Sequence, residues 1–191
     1  LQQGACPFSK ARLDGAPPLS IAVRLGWQRL VKALLRYGVD ANATDSAGLT
    51  ALHHAAQFGR IAFVLELIRY GALPEKRAIN GQSAYGLALI QGDSACIAAL
   101  TWSNWSLPGR KLQACDLPAA VLTKDTTAVK KLVELGVPLN AYDQNGATAL
   151  IHASGLGLQE IVHFLLKQGV DTKIAAKGGA TAIWAAISQS H

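Results

Sequence analysis

Apolar residues in this chain recur at helical spacing in short runs, and the runs come in pairs separated by turn residues. The clearest pair starts at Gly48-Leu-Thr-Ala-Leu-His-His-Ala-Ala56. Gly48 closes a turn, and Thr50 stands where a side-chain oxygen accepts from the free N–H groups of a first helical turn. Leu52, Ala55 and Ala56 then make a narrow, small-residue stripe on a short helix. Gly59 breaks it, and Ile61, Val64, Leu65 and Ile68 give a second helix its apolar face. Gly71 falls just past the end of that helix, where a residue with positive φ is favoured. Two helices this short cannot enclose a core, so the pair requires neighbours of its own kind.

The same punctuation returns along the chain. Turn-closing glycines occur as Gly15, Gly48 and Gly81 and again as Gly146 and Gly179, at a period of 33. The helix-ending position recurs as Gly38, Gly71, Asn104, Gly136 and Gly169, spaced 33, 33, 32 and 33. Asn104 is expected to take the left-handed conformation there, asparagine being the next-best occupant after glycine. This register also reveals a degenerate unit, with Gln113 where the glycine would stand.

Gly48-Leu-Thr-Ala-Leu-His53 resembles the turn-to-helix motif of ankyrin repeats, with Ala51 in place of the usual proline, and Gly146-Ala-Thr-Ala-Leu150 and Gly179-Ala-Thr-Ala-Ile183 match it less completely. Leu34-Leu35-Arg-Tyr-Gly38-Val-Asp40-Ala-Asn42 and Leu165-Leu166-Lys-Gln-Gly169-Val-Asp171 resemble that family's helix end and the loop after it. The resemblance covers residues 15–191 and implies an all-α solenoid of stacked helix-turn-helix units with finger loops. It also implies that His53 bonds backbone between repeats, and that finger tips and first helices form a concave face while second helices form a convex back. Function does not follow from the fold, which hosts many unrelated partners.

Unit boundaries fall at 15–47, 48–80, 81–112, 113–145, 146–178 and a partial 179–191, preceded by residues 1–14 as the end of an earlier unit or a cap. The third unit's second helix is expected from Ala95 to about Ser103. The chief departure follows it: Trp102-Ser-Asn-Trp105-Ser-Leu-Pro-Gly-Arg110-Lys111 has no Asp/Asn turn pattern and carries two tryptophans. Tyr37 and Tyr70 share a register position at helix ends and read as packing residues. Both chain ends read as cuts, since Ile183-Trp184-Ala-Ala-Ile187 is an apolar helix whose partner is missing. A short, self-contained protein capped by that helix is the competing expectation.

Composition narrows the chemistry. No window approaches 18 apolar residues, so no membrane insertion is expected. The sequence shows no secretion signal, which favours the cytoplasm, or the periplasm or exterior for a chain whose leader has been removed. Cys6, Cys96 and Cys115 lack metal-type spacing, and Cys96 and Cys115 read as two small buried hydrophobes, with a Cys96–Cys115 bridge as the alternative in an oxidising compartment. His54, His152 and His163 are too scattered for a metal site. Asp40-x-Asn42-x-Thr44-Asp45 lacks the glycine and glutamate of a calcium loop. Asn42-Ala-Thr44 and Asn104-Trp-Ser106 fit glycosylation triplets, which arise often by chance. No catalytic constellation is found, and no cofactor or small-molecule substrate is implied. The net charge of +6 and a pI near 9.4 raise nucleic acid. Cations spread over every unit and not interleaved with aromatics fit an acidic protein surface better.

Non-covalent binding of another protein, one with an acidic patch, is therefore the expected function. By register, the binding face should include Arg24, Leu25, Ser46, Gln57, Phe58, Gln91, Tyr142, Gln144 and Leu156. Phe58 is the leading anchor, against the alternative that its ring folds over the alanines of its own helix. Trp102 and Trp105 form a second candidate, either a docking site on a disrupted finger or rings that fill an irregular gap. Two forms of the function stand side by side: the targeting arm of a larger protein, or a free-standing inhibitor that blocks a specific enzyme.

Overall fold

The computed structural model describes residues 15–190. The expectations for residues 1–14, including Cys6, and for His191 lie outside them. The described residues form two compact units, one of residues 15–101 with Leu107–Lys111 and one of Trp102–Ser106 with residues 112–190.

In the N-terminal unit the helices come in pairs: α1 (Pro18–Leu25) with α2 (Gln28–Arg36), α3 (Ala51–Gln57) with α4 (Ile61–Arg69), and α5 (Ala84–Gln91) with α6 (Ser94–Leu100). α3 packs between α1 and α5, and α4 between α2 and α6, which gives two rows of helices. Leu19, Val23, Val31, Leu34, Leu52, Val64, Leu67 and Ile68 fill the space between the rows and are buried. The stripe of α3, Leu52, Ala55 and Ala56, is fully covered together with Ala51, because small side chains let three helices approach this closely. On α4 the buried set is Phe63, Val64, Leu67 and Ile68, whereas Leu65, expected inside, is 39% exposed. With α3 on one side and α2 and α6 on the others, the covered arc is centred between the 63/67 and 64/68 rows. That leaves residue 65 outside.

The C-terminal unit repeats the scheme with α7 (Asp116–Leu122), α8 (Thr126–Glu134), α9 (Ala149–Gly155), α10 (Gln159–Lys167) and α11 (Ala182–Ser188). Here α9 lies between α7 and α11, and Leu117, Val129, Leu132, Leu150, Ile161 and Leu165 form the core. Loops between helix pairs fold into short hairpins, bridged antiparallel at Thr44–Thr50, Arg77–Ser83 and Tyr142–Thr148. Neighbouring hairpins are tied by Ile79 N–H donating to the Ala47 carbonyl and Lys177 N–H to that of Asn145, both at 3.0 Å.

The irregular stretch departs from expectation in a specific way. α6 ends at Leu100, where Thr101 turns extended (φ −84°, ψ 112°). Among the described non-glycine residues, Lys124 and Ser190 have positive φ, and Asn104 does not. The cause is Asp125, buried at the start of α8. One oxygen caps the helix by accepting from Ala128 N–H (3.0 Å), and the other accepts from Ser103 O–H (2.9 Å), Asn104 N–H (2.9 Å) and Trp105 N–H (3.1 Å). Burial works against this carboxylate, but its four donors prevail and hold its pKa below the ordinary value. Next along the chain, Arg110 lies backbone-on against Gly71, and the Lys111 ammonium sits 4.9 Å from the Tyr70 ring centroid. Tyr70 is thus half-buried, but Tyr37, expected to pack likewise, is 63% exposed.

Candidate functional site

The candidate residues fall into two sets, one in each unit. In the N-terminal unit, Arg24 and Leu25 end α1, Gln57 ends α3 with Phe58 as its cap, Gln91 ends α5, and Ser46 lies in the first hairpin; all six are exposed. The 33-residue step explains the alignment, since residues 25, 58 and 91 occupy equivalent positions on successive helices. Phe58 is 50% exposed. It carries the Arg60 guanidinium 5.3 Å from its ring centroid, and Arg60 also reaches the Phe63 ring and donates to the Val23 carbonyl.

Apolar residues absent from the expected set extend this surface. Ile79 is 81% exposed at the second hairpin tip and Ile90 is 72% exposed on α5. Both were legible in principle, because one repeat step from Ser46 reaches Ile79 and one from Gln57 reaches Ile90. Trp27, 54% exposed at the start of α2, had no such signal.

The hairpins are fixed to the helices beneath them. Asp45 accepts from Ala47 and Leu49 N–H with one oxygen and meets His54 Nε2 at 3.2 Å with the other. Asp143 does the same with Asn145 and Ala147 N–H and with His152 Nε2 at 2.9 Å. His53 Nδ1 accepts from Thr50 N–H, and Nε2 lies 3.2 Å from the Gln82 carbonyl in the next repeat. Those roles suit a neutral ring with its proton on Nε2. Burial, the largest influence, pushes the pKa of His53 down, and that of His54 as well. The Asn42 amide donates to the Gly71 carbonyl and accepts from Leu73 N–H, so it knits repeats together.

In the C-terminal unit Tyr142 is 65% exposed, Gln144 is exposed and Leu156 is 38% exposed. Trp105 must be set apart from the candidates. It is 7% exposed, its ring centroid 5.7 Å from that of half-buried Trp102, so it fills the gap left by the irregular stretch. Lys131 lies 5.0 Å over Trp102, with its pKa lowered by burial.

Charge divides unevenly. Residues 15–101 and 107–111 hold ten Lys/Arg against five Asp/Glu, whereas residues 102–106 and 112–190 hold six of each. The basic excess therefore belongs to the N-terminal unit. Cys96 and Cys115 are free; Cys96 is buried as expected, but Cys115, expected inside, is exposed just before α7, and burial and the neighbouring Asp93 push the Cys96 thiol up to about 12. Among the described residues, no group of three or more His, Cys, Asp and Glu could hold a metal ion, and no helix is long and apolar enough to cross a membrane.

Helix pairs stacked in two rows, with hairpins at one edge, define a helical repeat module. The family model described as ankyrin repeats (3 copies) matches residues 2–80, 19–104 and 117–191, and the chain belongs to the ankyrin-repeat family. Such repeats are protein–protein interaction modules and typically non-catalytic. The chain is 28% identical over 163 residues to the potassium channel AKT2/3 of Arabidopsis thaliana, covering 83% of this chain and 20% of the channel. It is 29% identical over 155 residues to an L-asparaginase of Dirofilaria immitis (80% of this chain, 26% of that protein). It is also 38% identical over 93 residues to the 2-5A-dependent ribonuclease of Mus musculus (47% and 13%). The chain thus spans a quarter or less of the channel and the ribonuclease, and about a quarter of the asparaginase.

Proposed function

We propose that this chain is a non-catalytic module that binds a partner protein through the hairpins and first-helix ends of its N-terminal unit. The partner surface would combine apolar and acidic groups. The observation that carries this reading is the row of exposed Leu25, Phe58, Ile79 and Ile90, set among Arg24, Arg60 and Arg77 in the unit that holds the whole basic excess. Exposed apolar side chains on a rigid frame provide the anchors that dominate binding energy, and the cations steer an acidic partner in. The tied hairpins and neutral, bonded His53 keep the frame rigid, which lowers the ordering cost of binding. Tyr142, Gln144 and Leu156 form a second, smaller set for the same role.

Two versions of the function remain. As an arm, the repeats deliver a larger protein to its target; the relatives support this, since a channel, an asparaginase and a ribonuclease share the region. As a free-standing antagonist, the chain itself blocks an enzyme. A pull-down from the source extract at moderate salt, with the 191 residues as bait, separates them. One abundant enzyme retained and inhibited establishes the antagonist, and several unrelated proteins establish the arm. Retention of nucleic acid alone, or of nothing, defeats both.

A further inference from the structure

The N-terminal unit carries a second surface, on its other row of helices. α2 sets Arg29, Lys32 and Arg36 on one exposed face at spacings of three and four, and no acidic residue occurs between Asp14 and Asp40. The three cations span about 10 Å. Arg69, 33 residues beyond Arg36, is exposed at the equivalent place on α4.

At the C-terminal end of α2 this row opens into a cleft of about 410 Å³, whose lining includes Arg36, Asp40, Asn42, Tyr70, Gly109 and Lys111. One wall exists only because the irregular segment is held where it is. The Arg110 backbone lies against Gly71, Gly109 faces Leu73, and Lys111 rests over the Tyr70 ring. Two cations from opposite ends of the unit's sequence thus line one cleft. Asp40 is already engaged in part, accepting from Asn42 N–H at 2.8 Å.

We propose that this row and cleft dock an acidic peptide segment of a protein. A carboxylate enters the cleft beside Arg36 and Lys111, and further carboxylates follow Arg29 and Lys32 along α2. Arg36 supplies the planar fork that pairs a carboxylate through two hydrogen bonds. The cleft is also lined by Asp40 and by the carbonyl end of a helix, which attract donors. A peptide brings backbone N–H donors alongside its carboxylates, whereas the sugar-phosphate backbone of DNA offers acceptors only and keeps its donors on the bases. Four cations along so short a row also fall below the six to ten phosphate contacts, roughly, that a strong duplex binder makes.

The test is fluorescence anisotropy of the whole chain with a labelled short Glu-rich peptide at low salt. A single-stranded oligonucleotide of matched charge and phosphatidylserine vesicles serve as competing probes. Arg36→Gln/Lys111→Gln should weaken peptide binding about tenfold and flatten its salt dependence. Arg29→Gln/Lys32→Gln, which leaves Tyr70 undisturbed, should weaken it too, and Phe58→Ala should leave it unchanged. The proposal is overturned by any of four results: no saturable peptide binding, full binding by both double variants, loss in Phe58→Ala equal to theirs, or tighter binding to oligonucleotide or vesicles.

Discussion

Asp125→Ala tests the account of the irregular stretch, because one carboxylate both caps α8 and holds residues 103–105. The side chain is 3% exposed, so solvent screening does not dilute its four bonds. Their worth is unequal. Ser103 and Asn104 are exposed, and water replaces the carboxylate there at little cost. Loss of the cap costs about 1 kcal/mol. Trp105 N–H is buried, and leaving it unpaired costs about 2 kcal/mol. The total is about 3 kcal/mol, a fall in thermal midpoint of roughly 12–24 °C for a unit of this size. Urea and thermal unfolding followed by tryptophan emission would measure it, with a red shift as Trp105 reaches water. Asp125→Asn keeps an acceptor and should cost less. The pH dependence has a definite sign. The folded pKa lies below the ordinary 3.8, so the carboxylate's contribution is present above that value and is lost as pH falls through the folded pKa. A cost for Asp125→Ala under about 1 kcal/mol would refute the reasoning.

Three further outcomes follow from the geometry. Gly71 has φ +91° and a Cβ there would meet the Arg110 backbone at 2.5 Å, whereas Gly38, at φ +82°, has nothing within 4 Å. Gly38→Ala should therefore cost about 1 kcal/mol and Gly71→Ala clearly more, by denaturant midpoint; equal costs would mean the Arg110 contact is absent in solution. His53 and His54 have depressed pKa values, so the unfolded chain takes up protons first as pH drops below their ordinary 6.5. Stability should decline from that pH downward and level off below the folded values, and a urea midpoint that is flat or rises on acidification contradicts this. Alkylation of the native chain followed by peptide mapping should label exposed Cys115 and spare Cys96; equal labelling would show that Cys96 is not enclosed.

The regular part of this fold was legible because each repeat spells its own boundaries. Glycine at a fixed step, Thr50 before α3 and His53 in reach of the next repeat are local signals with local causes. The irregular part was not legible, because its cause is distant in sequence. The register of Asn104 suggested a left-handed helix end, but Asp125, some twenty residues on, captures that backbone instead. Trp105 could not be assigned to core or surface from its neighbours alone, since its burial depends on the same capture. For the candidate surface, the repeat step places Leu25 and Phe58 at equivalent helix ends, and both are exposed. The same step from Ser46 and Gln57 leads to Ile79 and Ile90. The uneven charge emerges only from the division into two units, which falls in the irregular Trp102–Lys111 stretch.

The central claim is that the exposed row of the N-terminal unit holds a partner protein, with Phe58 as its anchor. The measurement is the affinity of whichever protein the pull-down retains, by calorimetry, for the wild-type chain and for Phe58→Ala, beside the thermal midpoints of both. The account predicts a loss of about 2 kcal/mol, roughly thirtyfold in Kd, with the midpoint nearly unchanged. Unchanged affinity with a midpoint several degrees lower would contradict it and make Phe58 part of the packing.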